Sequence, residues 1–319
     1  GTVSADRNSQ TSGPGELLFQ TSNQGNEGVI VVRDGGTIRL LEITLNQTND
    51  GQLRALDGSA AVLQGSTSPA RVVGGSILTS GSGVVVASGS NDILESLRIE
   101  AGSQVLAPCV RTLKLVGTID NRGRITVDNN GCGPNFATLR GESGAALTGA
   151  GEVRLLANGD GANATLEGVA AFSLGTAQVL TGSGRINGAV RLDGVLMPDQ
   201  TFAPVNPVGK LTVNAGSTLT LTSSARFMVD IRSPSSFDRI DGSGNVAVRG
   251  RLIINLLDGF VLTQGASFDI VTGNTVTGSF DSVEFPPGFE SLDATIERLP
   301  DRLRLVITGP LFRNGFEAN

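Results

Sequence analysis

Residues 112–127 read TLKLVGTIDNRGRITV, in which short runs of alternating apolar and polar residues are joined by glycine-containing turns. In Arg124–Asp128 every second residue is apolar, which is the pattern of a β-strand with one buried face. Gly117 and Gly123 stand between the runs, and glycine adopts the positive φ that tight turns require. The stretch therefore predicts short strands connected by tight turns, with no helix.

The same pattern extends along the chain in both directions. A phrase of the form L-x-V/I followed by glycine recurs from Leu97, Leu113 and Leu211, and the 44 glycines are spread along the chain rather than gathered in one linker. Weak repetition at intervals of roughly 18 to 28 residues is typical of a solenoid with coils of unequal length. The sequence predicts an all-β protein, specifically a right-handed parallel β-helix (β-solenoid).

The ends of the chain differ from its middle. Residues 1–28 are polar apart from Leu17, Leu18 and Phe19, and they predict an extended N-terminal arm with one anchoring strand. Residues 29–200 predict the β-helix coils.

The last third of the chain is rich in phenylalanine. Ten of the 13 phenylalanines follow residue 200, which predicts a C-terminal β-helix or cap region over residues 201–309 with a wider core. Residues 310–319 are assigned to a C-terminal tail.

The composition excludes several classes of function. The chain has no His, Trp or Tyr, so it lacks an imidazole base and a histidine-based metal site. A net charge of -6 argues against binding to nucleic acid, and no apolar run is long enough to span a membrane as a helix. We expect no cofactor and no enzymatic activity.

Cys109 and Cys132 are the only cysteines, and they are 23 residues apart. This separation is close to one coil of a β-helix, and stacked coils lie about 4.8 Å apart. The spacing predicts a disulfide between adjacent coils, which suits a secreted protein.

Four phrases between about residues 181 and 285 carry a resemblance to a known family. They are TGSGRINGAVRLDGVLMPDQ from Thr181, NPVGKLTVNAGSTLTLTSSARFMVDI from Asn206, FDRIDGSGNVAVRGRLIINLLDGF from Phe237 and GASFDIVTGNTVTGSFDSVEFP from Gly265. Their order resembles the end of the parallel β-helix passenger region of bacterial autotransporters and related surface adhesins. The resemblance implies a secreted protein at the surface of a Gram-negative bacterium.

The end of the chain departs from that family. An autotransporter continues into a C-terminal membrane barrel, whereas this chain ends in PLFRNGFEAN, so we expect a passenger-like solenoid without the barrel. Phe312 and Phe316 in this ending are predicted to anchor the tail on the last coil, although the ending also resembles short sorting signatures of secreted proteobacterial proteins.

Two groups of charged residues are candidates for chemistry on polysaccharides, the substrates of lyases and hydrolases with this fold. They are Asp120, Arg122, Arg124 and Asp128, and Asp238, Arg239 and Asp241. Alternation places Arg122, Arg124, Thr126 and Asp128 on the same outer face of a strand. The chain has no Trp or Tyr to stack on a sugar beside them, so a solvated charged surface is the favoured interpretation. The turns at 128–130 and 158–161 are weak candidates for calcium.

The predicted open ends of the solenoid suggest the leading functional hypothesis. Unpaired strand edges must be covered or used, and the arm with Leu17, Leu18 and Phe19 predicts head-to-tail polymerisation into a filament or surface matrix. The alternative is a monomeric surface adhesin or a module that binds cell-surface polysaccharide. A polysaccharide lyase or hydrolase is the third hypothesis.

Overall fold

The computed structural model describes residues 2–5, 15–20, 22–48, 50–130, 132, 135–157, 163–199, 208–287 and 292–310. Within these ranges the chain forms β-strands and no helix, as the sequence predicts. The first twenty strands are β1 (Thr2–Ala5), β2 (Glu16–Phe19), β3 (Gln24–Asn26), β4 (Val29–Val32), β5 (Thr37–Leu41), β6 (Thr44–Gln47), β7 (Gln52–Leu56), β8 (Ala60–Gln64), β9 (Arg71–Val73), β10 (Ser76–Ser80), β11 (Val84–Ala87), β12 (Asp92–Glu95), β13 (Arg98–Ile99), β14 (Gln104–Ala107), β15 (Thr112–Val116), β16 (Thr118–Asn121), β17 (Arg124–Asp128), β18 (Ala137–Gly141), β19 (Ala146–Thr148) and β20 (Glu152–Leu156).

Two long strands that bend around corners open the second half of the fold. The remaining strands are β21 (Ala164–Leu174), β22 (Val179–Leu192), β23 (Val195–Met197), β24 (Lys210–Val213), β25 (Thr218–Leu221), β26 (Arg226–Ser233), β27 (Ser236–Phe237), β28 (Arg239–Gly242), β29 (Asn245–Val248), β30 (Arg251–Leu256), β31 (Ser267–Thr272), β32 (Thr275–Gly278), β33 (Ser282–Glu284), β34 (Leu292–Leu299) and β35 (Arg302–Pro310).

The strands stack in parallel into three faces, so the fold is a parallel β-solenoid. Face 1 consists of β1, β4, β7, β10, β13, β16, β19, the end of β21, the end of β22, β25, β29 and β32. Face 2 consists of β2, β5, β8, β11, β14, β17, β20, the start of β22, β23, β26, β30 and β33. Face 3 consists of β3, β6, β9, β12, β15, β18, the start of β21, the middle of β22, β24, β28 and β31.

One core runs inside the three faces. In β5, Ile38 and Leu40 point inward and are completely buried, whereas the residues on either side of them are half-buried on the outer surface. Each inward residue stacks on its counterpart in the next coil, as Ile38 does on Ala61. Period-two alternation in the sequence thus becomes continuous columns of buried side chains.

The length of the coil varies more than the sequence predicts. Stacked residues on face 1 are 18 residues apart between Phe172 and Val190 and 30 apart between Asn245 and Thr275. The strands of each face stay stacked in register, so the extra residues of the longer coils lie at the corners between faces. At one such corner the buried Gln178 amide nitrogen donates a hydrogen bond to the carbonyl oxygen of Asn121 at 2.8 Å.

The two ends of the solenoid differ. At the N-terminal end β1, β2 and β3 form the first coil. β2 is the one anchoring strand that the sequence predicts in residues 1–28, and β1 and β3 are paired strands in addition to it. At the C-terminal end the chain reverses direction, because β35 pairs antiparallel with β31 and β34 pairs antiparallel with β35. This hairpin covers the end of face 3 and buries Leu303, Leu305 and Ile307.

Candidate functional site

The first coil presents apolar side chains that no further coil covers within the described residues. Leu17 and Phe19 stack on the fully buried Ile38 and Leu40, yet they are only partly buried themselves. Leu18, on the outer side of the same strand, is 42% exposed. Within the described residues, the inward apolar layer of the first coil therefore has one uncovered side. The strand itself is the one that the sequence predicts at these residues.

Among the described residues, β2 has one strand partner, β5, so its other backbone edge is open. The Gly15 carbonyl accepts a hydrogen bond from the Thr37 amide at 2.8 Å. Alternate residues of a strand bond to the same parallel neighbour, so Leu17 and Phe19 continue this ladder to β5. The amide and carbonyl groups of Glu16 and Leu18 then point along the free edge. A free edge with apolar side chains is a template for another strand.

The edge of the first coil carries few charged residues that would oppose pairing with another strand. Glu16 is the one charged residue in β1, β2 and β3, and its carboxylate lies 2.7 Å from the Arg39 guanidinium in the next coil. The ion pair holds Glu16 along the outer surface of its own chain. Charged side chains on an edge strand normally discourage pairing between molecules, and the first coil has few of them.

A second feature is a cluster of three carboxylates at the corner between faces 2 and 3. Oxygen atoms of Asp199, Asp230 and Asp238 all lie within 4.8 Å of one another. Asp238 is 1% exposed and accepts hydrogen bonds from the Gly209 amide (2.6 Å) and the Asp230 amide (3.0 Å). Carboxylate oxygens are the ligands that Ca²⁺ prefers, and with one oxygen from each residue this cluster supplies three of the six to eight that it takes.

The three carboxyl groups of this cluster have raised pKa values, so they bind protons more tightly than exposed carboxyl groups do. Burial raises the pKa of Asp238 to about 8, against the lowering effect of its two backbone amide donors. Burial, followed by the charge of Asp230, raises the pKa of Asp199 to about 6. The pKa of Asp230 is also raised, again mainly by burial. At neutral pH the cluster therefore retains protons that exposed carboxylates would lose.

We expect this cluster to destabilise the fold as the pH rises. Because the folded pKa values lie above the unfolded ones, the folded chain binds more protons than the unfolded chain between about pH 4 and pH 8, so stability falls as the pH rises across this range and levels off above it. Asp199→Asn removes one negative charge and should recover on the order of 1 kcal/mol at pH 9, with little effect at pH 3, below both pKa values. Urea denaturation at the two pH values measures this, with the exposed Asp50→Asn as control. Equal effects of Asp199→Asn at both pH values would contradict the explanation.

The structure separates the charged residues that the sequence grouped together. Arg124, Thr126 and Asp128 share the outer side of β17, as alternation predicts. Arg122 lies in the turn before this strand and forms an ion pair with Asp120 of β16 on face 1 (2.9 Å), so it does not share that face. The cause is the corner at Arg122 and Gly123, where the chain passes from face 1 to face 2 while the alternation of buried and outward residues continues.

The second charged group is divided as well. Asp238 is buried, whereas Arg239 and Asp241 lie on the outer surface of face 3. The sequence alone could not predict the raised pKa of Asp238, because the cause depends on which residues are stacked next to it. Continuing the register of β23 and β26 places Asp199 directly above Asp230, and this register is known only once the coils are stacked.

The two cysteines lie where the spacing predicts. Cys109 and Cys132 have Cα atoms 5.9 Å apart and are paired as a disulfide in the structure. They connect the corner after β14 with the corner after β17 on the next coil. The backbone between Asp128 and Asn130 is a turn closed by a hydrogen bond from the Asn130 amide to the Asp128 carboxylate (2.8 Å). Phe312, Phe316 and the turn at 158–161 lie outside the described residues.

No protein-family model matches this chain, and no curated protein matches it significantly. The autotransporter-like identity of residues 181–285 therefore stays a prediction. Among the described residues, no helix is long and apolar enough to cross a membrane.

Proposed function

We propose that this chain is an extracellular structural β-solenoid protein that self-associates by strand addition at its first coil. The observation that supports this most strongly is the edge of β2, where Leu17, Leu18 and Phe19 are incompletely covered and where, among the described strands, β2 pairs with β5 alone. Strand addition satisfies the backbone groups and buries the apolar layer in one step.

Secretion from a Gram-negative bacterium is part of this proposal. The disulfide between Cys109 and Cys132 is compatible with an oxidising compartment. The solenoid offers length and a regular surface, which suit a filament or a surface matrix. Cell-surface polysaccharide is a further candidate partner of such a matrix.

A monomeric adhesin or polysaccharide-binding module is the alternative, and one observation favours it. Phe136 is 49% exposed, and it is the one exposed aromatic side chain among the described residues. The Arg185 guanidinium lies 5.9 Å from the centre of its ring. An aromatic ring beside a fixed guanidinium can stack on a sugar. A lyase or hydrolase is the weaker third proposal, since the charged residues suggested for it lie on different faces.

Electron microscopy of the purified chain tests self-association. A single solenoid of this height is roughly 50 Å long, since stacked strands are about 4.8 Å apart. We expect rods or fibres longer than this, whereas uniform rods of single length would contradict the proposal. Deleting residues 1–28 is a poor variant for this purpose, because it would uncover β4, β5 and β6 as a new free edge. Point substitutions in β2 are preferable.

A further inference from the structure

We infer that the partner of the first coil is the first coil of a second copy of this chain, joined to it in antiparallel pairing about a two-fold axis. This inference rests on the proposed self-association and specifies its geometry. It replaces the head-to-tail arrangement that the sequence predicts with a closed, end-to-end dimer.

The C-terminal end is a poor partner for the first coil. The β34–β35 hairpin extends face 3 by two strands beyond β31, whereas faces 1 and 2 extend only to β32 and β33. The Pro300 carbonyl in the hairpin turn also accepts a hydrogen bond from the Val276 amide in β32 (2.9 Å). The surface is therefore uneven, and one of its strands is already partly bonded.

The outermost strand at that end also carries charge. In β34, Glu297 and Arg298 are exposed, and Asp293 lies near its start. Charged residues on an edge strand oppose the addition of another strand. The first coil, with its apolar and nearly uncharged edge, differs in each respect. Between two copies, the best-matched surfaces are thus the two first coils.

A two-fold axis through face 2 brings these surfaces together without a gap. The axis places β2 opposite β2 of the second copy and β1 opposite β3 of the second copy. The strands run antiparallel there, because one solenoid is inverted relative to the other. Each face of a coil is displaced along the solenoid axis by about a third of the 4.8 Å spacing. β1 projects furthest along the axis and β3 projects least. Because β1 lies opposite β3 of the second copy, the two displacements add to the same separation as that between the two β2 strands.

The side chains define the register of β2 against its copy. Inward residues must face inward residues, because a shift by one residue moves every side chain to the other face. Leu18 opposite Leu18 of the second copy satisfies this and sets Leu17 against Phe19. It also aligns the free amide and carbonyl of Leu18 with their counterparts, as a hydrogen-bonded antiparallel pair requires. The apolar layer is then covered on both sides.

Cross-linking of Leu18→Cys tests this geometry. Opposed residues in a hydrogen-bonded antiparallel pair have Cα atoms about 5.5 Å apart, within the range of a disulfide. We expect the full chain with Leu18→Cys to become a covalent dimer on mild oxidation or with a short bismaleimide. Val261→Cys, which is 60% exposed near the other end, should give at least tenfold less dimer under the same conditions.

Three outcomes would overturn the inference, and they separate it from the proposed function. If the unmodified chain has the mass of a dimer but Leu18→Cys does not cross-link, the geometry is wrong and self-association stands. If Leu18→Cys cross-links only when mixed with Glu284→Cys, the contact is head-to-tail. If the unmodified chain is a monomer at every concentration, both proposals fail. Circular dichroism of Leu18→Cys in reducing buffer shows whether the variant folds.

Discussion

Replacing Phe172 with alanine is expected to lower the free energy of unfolding by about 4 kcal/mol, in the range for truncation of a buried phenylalanine. Phe172 is completely buried where β21 resumes on face 1 after an irregularity in register that begins at Gly168. Its ring occupies the space beside Gly141, where a Cβ atom would overlap it. Truncation leaves a cavity that the stacked coils on either side cannot close. Urea denaturation measures the change.

Two further variants show whether the ring itself is responsible. Phe136→Ala removes the 49% exposed ring and should cost less than about 1 kcal/mol. Gly141→Ala should destabilise the native chain but cost less in the Phe172→Ala background, because the new methyl group then enters the cavity. A loss below about 1 kcal/mol for Phe172→Ala, or additive effects of the pair, would contradict the described packing.

Replacing Leu18 with proline is expected to weaken self-association by at least about 100-fold. Proline has no amide hydrogen, so each copy loses a donor at the free edge, and a loss near 3 kcal/mol corresponds to about a factor of 100. The Leu18 amide makes no ladder bond to β5, since the residues that do so are Gly15, Leu17 and Phe19. An edge strand tolerates proline at such a position, so the monomer should remain folded.

Leu18→Ile is the matched control for this substitution, because it keeps both the amide and an apolar side chain. It should associate as the native chain does. Sedimentation equilibrium gives the dissociation constants, and thermal unfolding followed by circular dichroism checks the fold. Unchanged association of a folded Leu18→Pro variant would show that the edge of β2 is not the contact.

The fold class could be predicted because its cause is local. Alternation in segments such as Arg124–Asp128 indicates strands with one buried face, and no segment has the periodicity of a helix. The pair Cys109 and Cys132 could be predicted because their spacing matches one coil. Both inferences need only the period of the strand and the height of a coil.

Features that depend on how coils align could not be predicted from the sequence. The contact of Asp199 with Asp230 follows from a register between strands that are about 30 residues apart, and the coil length varies too much to infer it. In the first coil the sequence predicts only the strand at Leu17, Leu18 and Phe19, because the polar, glycine-rich residues around it resemble a linker. The first coil folds because Leu17 and Phe19 stack on Ile38 and Leu40. The reversal at β34 and β35 likewise has no signal in the alternation.

The molar mass of the unmodified chain in solution tests the central claim of self-association through the first coil most directly. Light scattering after size-exclusion chromatography, over a hundredfold range of concentration, determines this mass. The proposed contact predicts a species of twice 32.7 kDa that dissociates on dilution. A constant mass of 32.7 kDa up to the highest concentration would contradict it.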